Sequence, residues 1–276
     1  MWKQSYHGKW AGQTMIYKDV TGSTNEDAAR MAEELPHGAV IVADAQTAGR
    51  GRRGRSWVSA PGENLYFSLL LKPDFAPEQA SMLTLVMALA VAQGIEAVYV
   101  GTRQTKATHA DELQSELQQV QIKWPNDIVI GGRKVCGILT EMQAVPGSIR
   151  HVVIGVGINI NQAVFEEEGL MHASSLYLAT GRQIDRQVLL AEVLCRFETL
   201  YAAFCQAASL KPILKAYQDR LVNQGKEVRV LEPQGAYEGI ALGIDEQGQL
   251  LVQRADGSVE AVYAGEVSVR GIYGYV

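Results

Sequence analysis

The longest apolar stretch, within residues 78–93, constrains the fold more than any other feature of the sequence. Apolar side chains occupy nearly every face of a helix predicted there, and such a helix is stable only when protein surrounds it. Its most apolar part, residues 82–92, is interrupted by Thr84. That part is shorter than the roughly 20 residues that a membrane-spanning helix needs. We therefore predict a helix inside a large folded domain and no membrane partner.

The composition is that of an acidic globular protein. The 276 residues allow one large domain, or a domain of about 200 residues with a small module. Lys and Arg number 25 against 30 Asp and Glu, a net charge of −5, so any basic binding site has to be local. Three cysteines without a C-x-x-C pair indicate neither a disulfide framework nor a zinc site. Residues 1–6 lack the apolar stretch of a secretory signal, which predicts the cytoplasm.

Hydrophobic periodicity predicts alternating strands and helices up to about residue 223, and only short strands joined by turns after it. The expected helices are residues 24–35, 78–93, 111–120, 190–204 and 210–221, and the expected strands are residues 39–45, 64–71, 121–130, 135–142 and 151–160. Gly131-Gly132 marks a hairpin turn. From Lys226 onward short strands with turns at residues 245–248 and 255–258 indicate a small barrel. We predict two domains, residues 1–222 and 223–276.

Residues 49–57 read GRGRRGRSW, with four arginines within six residues. The interleaved glycines let the backbone approach an anion closely, and arginine binds phosphate with paired donors. A loop that binds a phosphate-rich ligand is the functional interpretation, and a solvated basic turn is the structural one. The match to the dinucleotide fingerprint G-x-G-x-x-G is rejected, because the residues after the third glycine form helices poorly.

Residues 123–127 read KWPND at the end of a predicted strand. Pro125 keeps Trp124 extended and the following Asn-Asp pair favours a turn. Lys123 would then project from a fixed position, where it can neutralise charge on a transferring phosphoryl or acyl-phosphate group. A strand-end turn with a surface lysine is the alternative.

Two more polar segments have both a structural and a functional interpretation. Ser23 and Glu26 fit a capping box, while the same helix start offers N–H groups and hydroxyls to a ligand. Residues 155–161 read GVGININ at the end of an apolar strand. They form a bend into a loop, in which Asn159 can present its amide to a nucleotide or its metal ion.

In this order, STN at residues 23–25, QTAGRGRRGRSW at 46–57, KWPND at 123–127 and GVGIN at 155–159 closely resemble the biotin protein ligases. The resemblance implies an α+β fold, a mixed β-sheet backed by helices of the class II aminoacyl-tRNA-synthetase-like kind, with a small C-terminal SH3-like β-barrel. It implies a ligase that uses ATP and Mg to activate biotin as biotinyl-5'-AMP. The activated biotin would pass to a lysine of a biotin carboxyl carrier protein.

The resemblance also implies roles for individual residues. Lys123 would bridge the biotin carboxylate and the α-phosphate, Arg52 would act beside it in catalysis, and Asp127 is a weaker candidate for Mg. Biotin would be held by Ser23, Thr24, Asn25, Gln46, Arg50, Gly51, Arg52, Lys123, Gly137 and Ile138. ATP would be bound by Arg55, Trp57, Asn159 and Lys123, with Trp57 packed on the adenine.

Only about 20 residues precede Ser23, too few for the DNA-binding domain that many bacterial members carry. This predicts the ligase-only type and no DNA partner, and a homodimer is left open. A lipoate ligase or lipoyl transferase is the alternative within the same superfamily. Its corresponding motif usually ends near a histidine and an aspartate, which residues 49–57 lack. A nucleic-acid-binding regulator is the alternative from another class, and the net negative charge argues against it.

Overall fold

The computed structural model describes residues 8–101, 120–165, 170–232, 235–264 and 268–271, and two β-sheets organise them. The first sheet contains β1 (Met15–Thr21), β2 (Val40–Gln46), β3 (Leu65–Leu71), β4 (Gln121–Lys123), β5 (Asp127–Ile130), β6 (Arg133–Val145) and β7 (Ser148–Ile158). The second contains β8 (Glu227–Glu232), β9 (Gly235–Ile244), β10 (Leu250–Gln253), β11 (Val259–Val262) and β12 (Ser268–Gly271). The helices are α1 (Thr24–Arg30), α2 (Leu83–Gly101), α3 (Leu176–Thr180), α4 (Arg186–Ala207) and α5 (Leu214–Gln218).

The first sheet is mixed, as predicted. Its strand order is β1-β2-β3-β7-β6-β5-β4, with β1 parallel to β2 and the other neighbours antiparallel. The central strand β3 has every residue buried, which is why its sequence is almost continuously apolar. The central strands β3, β6 and β7 therefore form a rigid platform for the side chains described below.

The apolar helix lies in the core, as predicted, and is longer than the sequence pattern indicated. A short 3₁₀ helix (Pro77–Met82) leads into α2, and the combined segment Pro77–Tyr99 is long and apolar enough to cross a membrane by length and composition. Of its most apolar window, 78% is buried inside the protein. Helix α2 packs on α4, where a Cβ on Gly94 would lie 2.8 Å from Val193 Cγ2. Such close helix packing requires the glycine.

Two helices are shorter than predicted. Helix α1 ends at Arg30 and continues as turns, although Ala32 and Leu35 keep the burial that the helical spacing indicated. Helix α5 covers only Leu214–Gln218, and residues 211–213 before it and 219–220 after it are turns. The helix expected at residues 111–120 falls almost wholly on residues outside those described.

The second sheet is antiparallel throughout, in the order β11-β10-β9-β8-β12. Its turns at residues 245–249 and 254–258 are those predicted from the sequence. The sheet fits the expected small SH3-like module, and a domain boundary near residue 223 stays a prediction. Of the three cysteines, Cys136 is buried in the core, and burial raises the pKa of its thiol.

Candidate active site

The floor of the candidate site is bare backbone on the central strands. Gly137 of β6 lies directly opposite Gly157 of β7 in the strand register. A Cβ on Gly137 would lie 2.7 Å from Trp57 Cζ3, and one on Gly157 would lie 2.6 Å from Trp57 Cε2. Only glycine at both positions lets the indole ring lie flat on the sheet, since real Cβ atoms do not approach so closely.

Polar side chains at the start of α1, together with Gln46, form one side of the site, which is called the polar wall below. Ser23, Thr24 and Asn25 are buried there, and the Gln46 Oε1 atom accepts hydrogen bonds from the Thr24 N–H at 2.9 Å and from its hydroxyl at 3.1 Å. The predicted capping box is not formed, because the Ser23 side chain makes no capping hydrogen bond. Its hydroxyl instead lines a cavity.

A small cavity of about 50 Å³ lies over this floor, and it adjoins a larger cavity of about 460 Å³ at Arg52, Trp57 and Lys134, which line both. The small cavity is lined by nine of the ten predicted biotin residues: Ser23, Thr24, Asn25, Gln46, Arg50, Gly51, Arg52, Gly137 and Ile138. The larger cavity is lined by all four predicted ATP residues, Arg55, Trp57, Asn159 and Lys123, and by the predicted metal residue Asp127. The residues predicted to bind biotin, apart from Lys123, therefore lie around one cavity, and the residues predicted to bind ATP lie around the other.

Trp57 separates the two cavities. Its ring lines both of them and lies over the glycine floor, and the Lys134 ammonium is 5.4 Å from the ring centroid. The indole Nε1 is buried and has no hydrogen-bond partner among the described residues. Because one water needs about 10–15 Å³, the small cavity holds only a few waters beside this ring. A bicyclic ligand on the glycine floor requires the Trp57 side chain to move.

Lys134 is the site residue that the sequence analysis missed. It lines both cavities, whereas Lys123 is buried at the end of β4 and lines only the larger one. The Lys134 Nζ atom lies 2.7 Å from Asp127 Oδ1. The β5–β6 hairpin produces this arrangement by pairing Asp127 with Gly137, with a register shift at Ile128. The predicted Gly-Gly hairpin turn was the available signal, since it folds Lys134 back alongside Asp127.

The arginines of residues 50–55 differ in their surroundings. Arg52 is half-buried and donates to Asn126 Oδ1 at 3.0 Å and to the Ala264 carbonyl oxygen beside the second sheet. Burial lowers the pKa of its guanidinium, and the Asp127 carboxylate opposes that shift. Arg50 pairs with Glu26 and Glu141 at 3.5 and 3.4 Å. Arg53 and Arg55 are exposed, and Arg53 is in the left-handed region with φ 58°.

The KWPND segment joins the site to the second sheet. The Trp124 indole is buried and donates to the Gly248 carbonyl oxygen at 2.9 Å. Asn126 accepts from Arg52 and donates from Nδ2 to the Ile138 carbonyl oxygen at 3.1 Å, a linking role that the sequence analysis did not assign. Asn159 is also committed within the protein, because its Nδ2 donates to the Ser174 carbonyl oxygen at 3.0 Å.

A metal ion would have few protein ligands here. The part of the chain that the structure describes contains no group of three or more His, Cys, Asp or Glu side chains that could hold a metal. Mg²⁺ that binds together with a nucleotide uses one or two carboxylates and the phosphate oxygens. Asp127 is the one carboxylate among the described residues that line the larger cavity, and it would meet that requirement by exchanging its contact with Lys134 for the metal.

Residues 17–159 match the biotin/lipoate A/B protein ligase family, and residues 225–270 match the biotin protein ligase C terminal domain. The chain is 38% identical to the bifunctional ligase/repressor BirA of Bacillus subtilis over 94% of its length and 74% of that protein. It is 35% identical to the biotin--[acetyl-CoA-carboxylase] ligase of Mycobacterium tuberculosis, over 90% of this chain and 85% of the other.

The fold is similar to that of a solved enzyme with substrates bound. The biotin protein ligase of Aquifex aeolicus in complex with biotin and ATP superimposes with a TM-score of 0.74 at 30% sequence identity. The match covers 94% of this chain and 99% of that one. Biotin and ATP are bound together in that structure, so the fold shared with this chain is one that holds both ligands at once.

Proposed function

Because the chain belongs to the biotin/lipoate A/B protein ligase family, we propose that it is an ATP-dependent biotin ligase. In the first half-reaction the biotin carboxylate attacks the α-phosphate of ATP, forming biotinyl-5'-AMP and releasing pyrophosphate. In the second, the ε-amine of a lysine on a biotin carboxyl carrier protein attacks the mixed anhydride. An amide bond forms and AMP leaves with the bonding electrons.

The observation that carries this proposal is the meeting of two cavities at one pair of cationic side chains. Arg52 and Lys134 both line the small cavity and the larger one. Biotin in the first and ATP in the second would bring a carboxylate and a phosphate together at these cations. The positive charge offsets the repulsion between the two anions and stabilises the charge that develops during transfer.

The polar wall favours biotin over lipoate. Ser23, Thr24 and Gln46 surround the small cavity with hydroxyl and amide groups. The ureido group of biotin donates and accepts hydrogen bonds, whereas the dithiolane ring of lipoate does neither well. A buried polar site rejects a ligand that leaves its groups unpaired. The chemistry of the wall thus supports the biotin branch of the family.

The larger cavity supplies what a nucleotide needs. Arg53, Arg55 and Lys123 line it and place positive charge where a triphosphate would lie. Mg²⁺ bound with ATP would neutralise phosphate charge, and Asp127 would hold it from the protein side. Trp57 would leave the glycine floor when biotin arrives and pack on the adenine, as the family resemblance implies.

The decisive experiment is transfer by the purified chain. Incubation with biotin, Mg-ATP and a biotin carboxyl carrier domain should raise the mass of that domain by one biotin, only when ATP is present. Parallel reactions with lipoate and a lipoyl carrier domain should leave both carriers unmodified. Lipoate transfer without biotin transfer would assign the chain to the lipoate branch instead.

We also expect the arginine-rich loop to be protected from trypsin by its ligands. Arg53 and Arg55 are exposed, and four like charges repel each other until anions bind. Biotin together with ATP should slow cleavage within residues 50–55 at least several-fold, as read by mass spectrometry of the fragments. Equal cleavage rates with and without both ligands would contradict the proposed role of the loop.

Three further expectations stay predictions. They are a cytoplasmic location, the ligase-only type without DNA binding, and the domain division near residue 223. The choice between monomer and homodimer stays open.

A further inference from the structure

We infer that Ser68 is a positioning residue for biotin recognition. Its hydroxyl, on strand β3, holds Thr24 and Asn25 of the polar wall in place. This inference rests on the proposed function, since it concerns the same small cavity. Ser68 lies outside every motif on which the sequence analysis relied. It touches none of the space that a ligand would fill and acts through Asn25 and Thr24.

Ser68 is a polar residue in a position that otherwise selects apolar side chains. It stands in the middle of β3, whose sequence is LYFSLLL, and its side chain is completely buried. A hydroxyl buried without a hydrogen bond costs free energy. Ser68 therefore belongs in this strand only for the contacts that its hydroxyl makes.

Those contacts are to the two wall residues of α1. The Ser68 Oγ atom lies 2.6 Å from Asn25 Oδ1 and 2.8 Å from Thr24 Oγ1. An amide oxygen can only accept, so the Ser68 hydroxyl donates to Asn25 and determines which end of that amide faces the sheet. The Asn25 Nδ2 atom then donates to Glu141 Oε2 at 2.7 Å and to the Leu139 carbonyl oxygen at 3.3 Å.

Asn25 consequently works as a brace. Both of its amide hydrogens are used within the protein, and its side chain connects α1 to β3 and β6. Gly155 lies directly opposite Ser68 in the strand register, and a Cβ there would collide with the Asn25 amide. Ser68 and Gly155 together form a socket for this side chain.

The position of the Asn25 side chain affects Thr24 and Gln46, whose polar groups face the small cavity. Thr24 precedes Asn25 at the same helix start, and its N–H donates to Gln46 Oε1. Because the Ser68 hydrogen goes to Asn25, the single hydrogen of the Thr24 hydroxyl goes either to Ser68 Oγ or to Gln46 Oε1, which are both within bonding distance.

Loss of the Ser68 hydroxyl would leave the buried Asn25 Oδ1 atom without its donor and would remove a contact of Thr24. The helix start would then be held less firmly, although the Asn25 Nδ2 bonds to β6 would remain. The consequence is weaker biotin binding, with the chemistry at Lys134 and Arg52 left in place.

The test is steady-state kinetics of biotinyl-5'-AMP formation by Ser68→Ala. The KM for biotin should rise about tenfold, as expected for one lost buried hydrogen bond, while kcat and the KM for ATP change less than twofold. Thr84→Val is the matched control, because the Thr84 Oγ1 to Thr140 Oγ1 hydrogen bond of 2.8 Å is also shielded and lies outside the site. The Tm of Thr84→Val should fall by about as much as the Tm of Ser68→Ala, whereas its KM for biotin should not change.

Ser68→Cys replaces the hydroxyl with a somewhat larger group that is a weaker donor, and its KM for biotin should fall between those of the wild type and Ser68→Ala. It also replaces Ser68→Ala if the latter does not fold. The inference would be overturned if the KM for biotin were unchanged in either folded variant. It would also be overturned if kcat fell and the KM for ATP rose by similar factors. A wild-type chain that transfers no biotin would instead refute the proposed function itself.

Discussion

Replacing Lys134 with Ala is expected to lower the rate of biotinyl-5'-AMP formation by a factor of about 10² to 10³, the usual cost of losing one preorganised charge-stabilising donor. Lys134 lines both cavities and lies against Trp57 and Asp127. Its ammonium is therefore placed where the carboxylate and the α-phosphate would meet. Pyrophosphate release in single-turnover reactions measures this step directly.

Lys123→Ala is the matched comparison. The family resemblance implies that Lys123 bridges biotin and nucleotide, which predicts a near-complete loss of adenylation in that variant. The geometry favours Lys134 for the bridge, because Lys123 lines only the larger cavity. Lys123→Ala should then act mainly on the KM for ATP. A larger loss of kcat in Lys123→Ala than in Lys134→Ala would return the bridging role to the motif lysine.

Arg52→Gly should release the activated intermediate. The Arg52 guanidinium ties the loop to Asn126 and to Ala264 beside the second sheet, so its loss opens the loop while Lys134 stays in place. Free biotinyl-5'-AMP should then acylate exposed lysines elsewhere. In a mixture of enzyme, Mg-ATP, biotin, carrier domain and an unrelated lysine-rich protein, we expect at least tenfold more biotin on that bystander than with the wild type.

Arg53→Gly provides the control within the same loop. It removes one arginine of the same charge, and glycine suits the left-handed backbone that Arg53 adopts. Because the Arg53 side chain is exposed and makes neither of the contacts by which Arg52 ties down the loop, bystander labelling per biotinyl-5'-AMP formed should stay at the wild-type value. If Arg52→Gly adenylates biotin normally and labels the bystander no more than the wild type does, Arg52 does not retain the intermediate.

The residues that the sequence analysis assigned to the site lie together in the structure because their motifs stand at the ends of strands and at a helix start. The STN segment, the arginine-rich loop and the GVGIN segment border neighbouring strands, so the pairing of β2, β3 and β7 brings them together. Lys134 escaped prediction because its role depends on the register of the β5–β6 hairpin. A single-residue change in that register would turn the side chain to the other face.

Two other differences between the sequence analysis and the structure have no local signal in the sequence. Ser23 and Glu26 fit the spacing of a capping box, yet the Ser23 side chain makes no capping bond, and a four-residue pattern alone does not reveal this outcome. Ser68 appeared as part of an apolar run in the sequence. Its role became visible only when α1 was placed over β3, since a long-range contact of 43 residues leaves no local pattern.

The glycine floor has a consequence for engineering this protein to accept bulky biotin analogues. Gly137 and Gly157 present backbone alone, so no substitution can lower the floor, and any added side chain raises it. Space for a larger ligand has to be made from above, by shortening Trp57 or by altering residues 49–56. We expect selection for enlarged analogues to leave both glycines untouched and to concentrate its changes in that loop.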